Sequence, residues 1–152
     1  MIKRKGDVFS TDAFWIGHGC NVDGVMGAGV ARTVRDNYPI VYEAYRKRCM
    51  SNDLVPGDAF SIYENGKIIV NLMTQDRPGP NARYDWIFKS TLRAAAKIMS
   101  PNSHWQSMPK VMALPMIGAG IGGLDWDKVE TLLRAVEILT PGFEFEVWKY
   151  EG

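Results

Sequence analysis

Hydrophobic spacing along the chain changes several times, and each change marks a predicted element. Ala13-Phe14-Trp15-Ile16 is a continuous apolar run ending at Gly17, the pattern of a buried strand. From Gly29 the period lengthens: Val30, Val34 and Tyr38 recur every four residues, a helical stripe that Pro39 stops. Residues 41–49 continue as a second helix, with Val41, Ala44 and Tyr45 inward and Arg46, Lys47 and Arg48 toward water. Residues 60–63 and 67–73 flank Glu64-Asn65-Gly66. Asn-Gly between two such runs predicts a hairpin, because both central residues of the tight turn need positive φ.

After a proline-bearing loop over 75–81, Asp85 opens a third predicted helix, with Phe88, Leu92, Ala95 and Met99 as its apolar face and Pro101 beyond it. Residues 111–117 read as a central strand buried on both faces. Asp125 is a natural N-cap for a last helix striped by Val129, Leu132, Leu133 and Val136. Phe143, Phe145 and Val147 alternate with Glu144 and Glu146, a closing strand with one face more exposed. The order β-β-α-α-β-β-α-β-α-β predicts an α/β fold, a central mixed sheet between helical layers.

Composition narrows the function classes. A chain of 152 residues suits one domain, 1–152, with a sizeable core. A formal net charge of +1 argues against binding nucleic acid or membrane through bulk electrostatics. Lys3-Arg4-Lys5 and Arg46-Lys47-Arg48 are short charge runs, more consistent with solvated faces than with an RNA site. Two cysteines, Cys20 and Cys49, make no disulfide framework, and no Cys/His spacing suggests zinc, so no metal is expected. The basic N-terminus lacks the apolar region of a signal peptide, and no apolar run reaches membrane-spanning length; a cytoplasmic location is expected.

The unusual quantity is glycine. Of 15 glycines, five fall in 17–29 and four in 118–123. Each cluster follows a predicted strand and precedes a predicted helix, the place where open α/β sheets hold ligands. Glycine there allows close backbone approach and inward-pointing N–H groups, and the following helix N-terminus adds positive potential for phosphate. Gly118 to Gly123 also satisfies GxGxxG formally, which would suit a dinucleotide-dependent oxidoreductase. Only 29 residues follow Gly123, however, and no phosphate-loop GxxxxGK[ST] is present.

The stretch Gly19-Cys-Asn-Val-Asp-Gly-Val-Met-Gly-Ala-Gly-Val-Ala31, together with Leu114-Pro-Met-Ile-Gly-Ala-Gly-Ile-Gly-Gly-Leu-Asp-Trp126 and the opening Lys5-Gly-Asp7, resembles the macro domain family, whose members bind ADP-ribose. The resemblance runs over essentially the whole chain. It is nearest to the branch holding the terminal ADP-ribose protein glycohydrolase and the antitoxins that remove ADP-ribose from DNA. It implies a three-layer α/β/α macro domain.

By that resemblance Asp7 receives the adenine amino group, and Val8 contacts the ring through its backbone. Met26, Gly27, Ala28, Gly29 and Val30 form the first diphosphate loop. Gly118, Ala119, Gly120, Ile121, Gly122 and Gly123 form the second, with Ile121 over the distal ribose or bridging the cleft toward the first loop. Thr74 borders the ligand, and Trp148 is an aromatic wall for the adenine or ordinary core. Asn21 lies near the distal ribose. The chain departs from the branch at two places: its catalytic lysine is replaced by Gln75, and the aspartate of its second loop by Gly122. Glutamine forms no Schiff base and glycine is no base. The remaining catalytic candidates are His18, Asn21 and Asp23, and a stretch similar to that around His18 occurs in yeast-type ADP-ribose 1″-phosphate phosphatases.

The resemblance thus implies a monomer that takes ADP-ribose or an ADP-ribosylated protein, nucleic acid or small molecule, with no cofactor and no membrane contact. It leaves two functions: hydrolysis of an ADP-ribose derivative, or reading and sequestering ADP-ribose without turnover.

Overall fold

A computed structural model describes residues 1–151. One six-stranded sheet forms the middle layer: β1 (Ile2–Lys5), β2 (Trp15–Asn21), β3 (Ala59–Glu64), β4 (Lys67–Gln75), β5 (Val111–Pro115) and β6 (Glu144–Lys149). Their spatial order is β1-β6-β5-β2-β4-β3. Only the β3–β4 pair is antiparallel, so the sheet is mixed as the sequence predicts. Its hairpin turn carries Asn65 at φ 51° and Gly66 at φ 78°, the two positive values that Asn-Gly supplies.

Helices α1 (Gly29–Asn37) and α2 (Pro39–Met50) cover one face, and α3 (Tyr84–Ile98) and α4 (Trp126–Leu139) the other. Under the first pair, Ile16, Ile69, Met73 and Ala113 pack on Val34, Val41 and Tyr45. Under the second, Val70, Leu72, Met112 and Phe145 pack on Ile87, Ala95, Leu133 and Val136. This is the three-layer α/β/α arrangement. No helix among the described residues is long and apolar enough to cross a membrane.

Three local expectations change. β2 does not stop at Gly17 but runs to Asn21. Glycine allows this by close packing: a Cβ on Gly17 would lie 2.6 Å from Leu114 Cδ2, and one on Gly19 would lie 2.8 Å from Thr74 Oγ1. On α3 the fully buried positions are Ile87, Ser90, Thr91, Ala94, Ala95 and Ile98, while Phe88, Leu92 and Met99 sit at the margin. The Ser90 and Thr91 hydroxyls both bond back to the Ile87 carbonyl, at 3.3 and 2.6 Å, so polar residues occupy an inward face. Finally, Glu146 on β6 is buried rather than solvated.

Strand direction positions the site. From β2 the chain winds through α1 and α2 toward β3 and β4; β5 and β6 lie on the other side of β2. That reversal opens a crevice beyond the carboxyl ends of β2 and β5. The register between β2 and β4 also slips there, between Cys20 and Asn21, which frees the end of β2 from the ladder.

Candidate functional site

Two cavities occupy the crevice, one on each side of the start of α1. The proximal one, about 380 Å³, is lined by Asp7, Val8 and Phe9, by Gly29 and Val30, and by Trp148. The distal one, about 190 Å³, is lined by Asn21, Gly27, Ala28, Ala31, Gln75 and Ile121 among others. Residues 27–31 are divided between them, Gly29 and Val30 facing the proximal cavity and Gly27, Ala28 and Ala31 the distal one, so the helix N-terminus lies between the two.

That N-terminus is left open. Ala28 is its N-cap residue and makes no side-chain cap hydrogen bond. The first helical N–H groups have no intrahelical acceptor, so those of Gly29, Val30 and Ala31 remain available to an anion. Gly29 adopts φ +58°, with nothing within 4 Å of where a Cβ would stand, so the bend is both permitted by glycine and open to a ligand. The start of α4 differs. There Asp125 caps the helix, its carboxylate accepting from the Asp127 N–H at 3.0 Å, so that end is already neutralised by its own sequence.

The second glycine cluster is correspondingly more structural than expected. A Cβ on Gly118 would fall 2.6 Å from Ile87 Cδ1, and one on Gly122 would fall 2.9 Å from Ala82 Cβ and from the Gly118 carbonyl oxygen. A Cβ on Gly123 would meet Pro80 at 3.0 Å. These three glycines let the loop fold onto α3 and its own neighbours. Gly120 is open, and Ala119 is half-buried. Ile121, 63% exposed, is the loop residue that lines the distal cavity.

The proximal walls are held by a hydrogen-bonded set. Asp7 caps the short 3-10 turn Val8–Ser10, one oxygen accepting from the Phe9 N–H at 2.9 Å, which leaves the other for a ligand. Buried Glu146 accepts from the Trp148 Nε1–H at 2.7 Å and from the Thr11 hydroxyl. Thr11 ends the turn that carries Asp7 and Val8. One carboxylate thus ties the indole wall to the opposite wall. Glu146 has no sequence signal beyond its place in an alternating strand, and spacing alone does not reveal it.

The distal end is built from amides and backbone. Asn21 Oδ1 accepts from the Asp23 N–H at 3.0 Å and from the Tyr45 hydroxyl at 2.9 Å, while Asn21 Nδ2 donates to the Val25 carbonyl at 2.9 Å. Asn21 therefore shapes the first loop as well as lining the cavity. Burial pushes the Tyr45 hydroxyl well up from its ordinary range, so it stays a neutral donor. Gln75 Nε2 donates to the carbonyls of Arg77 at 2.7 Å and Gly79 at 3.3 Å, and so holds the 75–81 loop at the cavity mouth.

Several expected site residues sit elsewhere. His18 is 1% exposed and lines neither cavity. Its Nε2 is 2.8 Å from Asn71 Oδ1, and burial lowers its pKa to about 4 despite that bond. The structure thus holds this imidazole neutral and enclosed, away from both cavities. Cys20 lies beside it, Sγ 3.4 Å from His18 Nε2, with its thiol pushed up by burial. Asp23 is exposed on the loop and lines neither cavity. Met26 and Thr74, expected at the ligand, are buried at 1% exposure each and support the loop and Gly19 from beneath.

The fold and this cleft between a strand end and an open helix define a class, and the chain belongs to the macro domain family: a family model of that description matches residues 18–133. A phage T4 relative, described as an uncharacterized 17.5 kDa protein in the tk-vs intergenic region, is 31% identical over 140 residues, covering 85% of this chain and 84% of its own. The DNA ADP-ribosyl glycohydrolase of Mycobacterium tuberculosis is 28% identical over 156 residues. That match takes in 97% of this chain but 42% of the relative, so the chain spans less than half of that protein. The solved macrodomain of Mycobacterium tuberculosis DarG superposes with a TM-score of 0.81 at 26% identity, covering 97% of each chain.

Proposed function

We propose that this chain binds ADP-ribose, free or conjugated, across the two cavities. The observation that carries the reading is the uncapped N-terminus of α1 between them. A diphosphate joining two nucleoside-like halves matches that layout. The adenine stacks in the proximal cavity near Trp148, and Asp7 accepts from its exocyclic amine. The diphosphate lies over Gly27, Ala28 and Gly29, where orphan N–H groups and the helix dipole favour negative charge. The second ribose enters the distal cavity between Gln75 and Ile121. Calorimetry with ADP-ribose tests this. One-site binding that is weakened by Asp7→Ala supports it, whereas NAD binding well above ADP-ribose, or no heat at all, overturns it.

Hydrolysis at the distal ribose is a second reading, favoured by the glycohydrolase among the relatives. No Asp, Glu, His or Lys lines the distal cavity among the described residues. Water is the nucleophile for such cleavage, and its base comes from outside this lining, from the exposed Asp23 on the first loop or from the ligand itself. Incubation with ADP-ribosylated DNA, ADP-ribosylated protein and ADP-ribose 1″-phosphate separates the two. Release from any of them supports an enzyme, and tight binding without release supports a reader.

A further inference from the structure

The pole of the sheet opposite the cleft carries a third cavity, about 350 Å³, which the reading above does not use. Trp15, Ile68 and Ile98 form its floor. Ile68 and Gln75 lie near opposite ends of β4, seven residues apart, so the two sites are separated by roughly 23 Å at ~3.3 Å per residue. No contact between them is needed for either to be occupied.

Its wall is aromatic. Tyr63 and Trp105 stack with ring centroids 5.4 Å apart and planes 17° apart, and Phe14 backs Trp105 at 5.0 Å. Tyr63 is 53% exposed, so the pair is anchored from behind while tyrosine ring surface faces solvent on the edge strand β3. The wall is also held in place: Lys110 Nζ donates to the carbonyls of Trp105 at 3.0 Å and Gln106 at 2.9 Å. Along the rim stand Lys97, Asn102, Ser103 and His104, and among the described residues no carboxylate lines the cavity.

An apolar floor, a fixed ring with free surface, one ammonium and several neutral hydrogen-bonding groups select a planar ligand bearing an anion. We propose that this cavity binds a nucleoside monophosphate unit, its base stacked on Tyr63 and its phosphate at Lys97. Base–aromatic stacking next to a cation is how single-stranded nucleic acid is held without sequence reading. The same chemistry is offered by a free nucleotide. Its size matches: small-molecule sites begin near 300 Å³.

The test is an amide-shift titration of the ¹⁵N-labelled full chain with thymidine 5′-monophosphate, with thymidine and octathymidylate as parallel arms. Expected are saturable shifts at Tyr63, Lys97 and residues 102–105, read separately from any at residues 27–31. Tyr63→Ala weakens binding by roughly 5- to 100-fold, while Tyr63→Phe stays within about twofold because the ring persists. Lys97→Ala lies on an exposed helix surface and leaves folding intact. It abolishes the preference for the monophosphate over thymidine. Octathymidylate binding at least tenfold tighter per strand than the mononucleotide identifies a single strand as the source, and equal affinity identifies the free nucleotide. Absence of shifts at 102–105 up to millimolar ligand, or unchanged affinity in both Tyr63→Ala and Lys97→Ala, overturns the proposal.

Discussion

The proximal and distal cavities share one helix start yet are built from opposite materials. At the proximal end charged and aromatic side chains do the work: Asp7 on a capped turn, and Trp148 fixed by buried Glu146. At the distal end the lining is glycine, alanine, valine, proline, isoleucine and the amides of Asn21 and Gln75, with no ionisable group among the described residues beyond the Cys20 thiol. On the proposed ADP-ribose reading, specific recognition belongs to the first and geometric accommodation to the second.

Acidification tests the largest of these differences. His18 lies beneath the distal floor with its pKa lowered to about 4 by burial, against ~6.5 in an unfolded chain. The unfolded state therefore binds the extra proton first, so this residue's contribution is intact above pH ~6.5 and is lost as pH falls. At ~1.4 kcal/mol per unit the loss reaches about 3 kcal/mol near pH 4. Denaturant melts of wild type and His18→Asn over that range should show the steeper acid-side slope in the former. An equal slope in both would mean that His18 is not the group responsible.

At the proximal end Trp148→Ala should cost about 2 kcal/mol of ADP-ribose affinity, the scale of one aromatic–base stack. Glu146→Gln should give a smaller loss, about 1 kcal/mol, because the indole hydrogen bond loses its charged acceptor but not its geometry. Both are read by calorimetry; equal, negligible losses would remove the proximal end from recognition. On the distal side Tyr45→Phe deletes the hydroxyl bonded to Asn21 and should lower stability by about 1 kcal/mol, seen as a lower thermal midpoint. The smallest effect belongs to Gln75→Ala. It releases the 75–81 loop and should change ADP-ribose affinity by less than ~1 kcal/mol. A larger loss would show that Gln75, which lines the distal cavity, bonds the ligand directly as well as holding the loop.

The same contrast marks what could be read from residues alone. Asn65-Gly66, the stripe of α4 and the Asp125 cap follow local rules, and the structure agrees at each. Gly17 and Gly19 look like loop residues because their spacing with Gly24, Gly27 and Gly29 suggests one continuous turn. Their cause is tertiary: Leu114 and Thr74 leave no room for a Cβ. His18 reads as a titrating candidate by residue type, and its enclosure with Asn71 and Cys20 is visible only in the structure. Ser90 and Thr91 escape a hydrophobic-stripe reading because hydroxyls that bond back to their own helix are buried without looking apolar. Glu146, and the loop-holding part that Gln75 plays, become visible only once the partners of their side chains are placed.

The central claim is that the uncapped start of α1 holds a diphosphate, and one substitution separates that claim from general stability. Ala28→Asp places a capping carboxylate where the backbone already has the extended geometry of an N-cap, φ −149° and ψ 157°. It should stabilise the fold by about 1 kcal/mol while setting a negative charge against the incoming phosphates. Calorimetry alongside thermal melting should then show a raised midpoint and ADP-ribose affinity lowered by roughly 10-fold or more, since the carboxylate occupies the free N–H groups and opposes the phosphates. A variant that is stabilised and still binds ADP-ribose as wild type does would contradict the account.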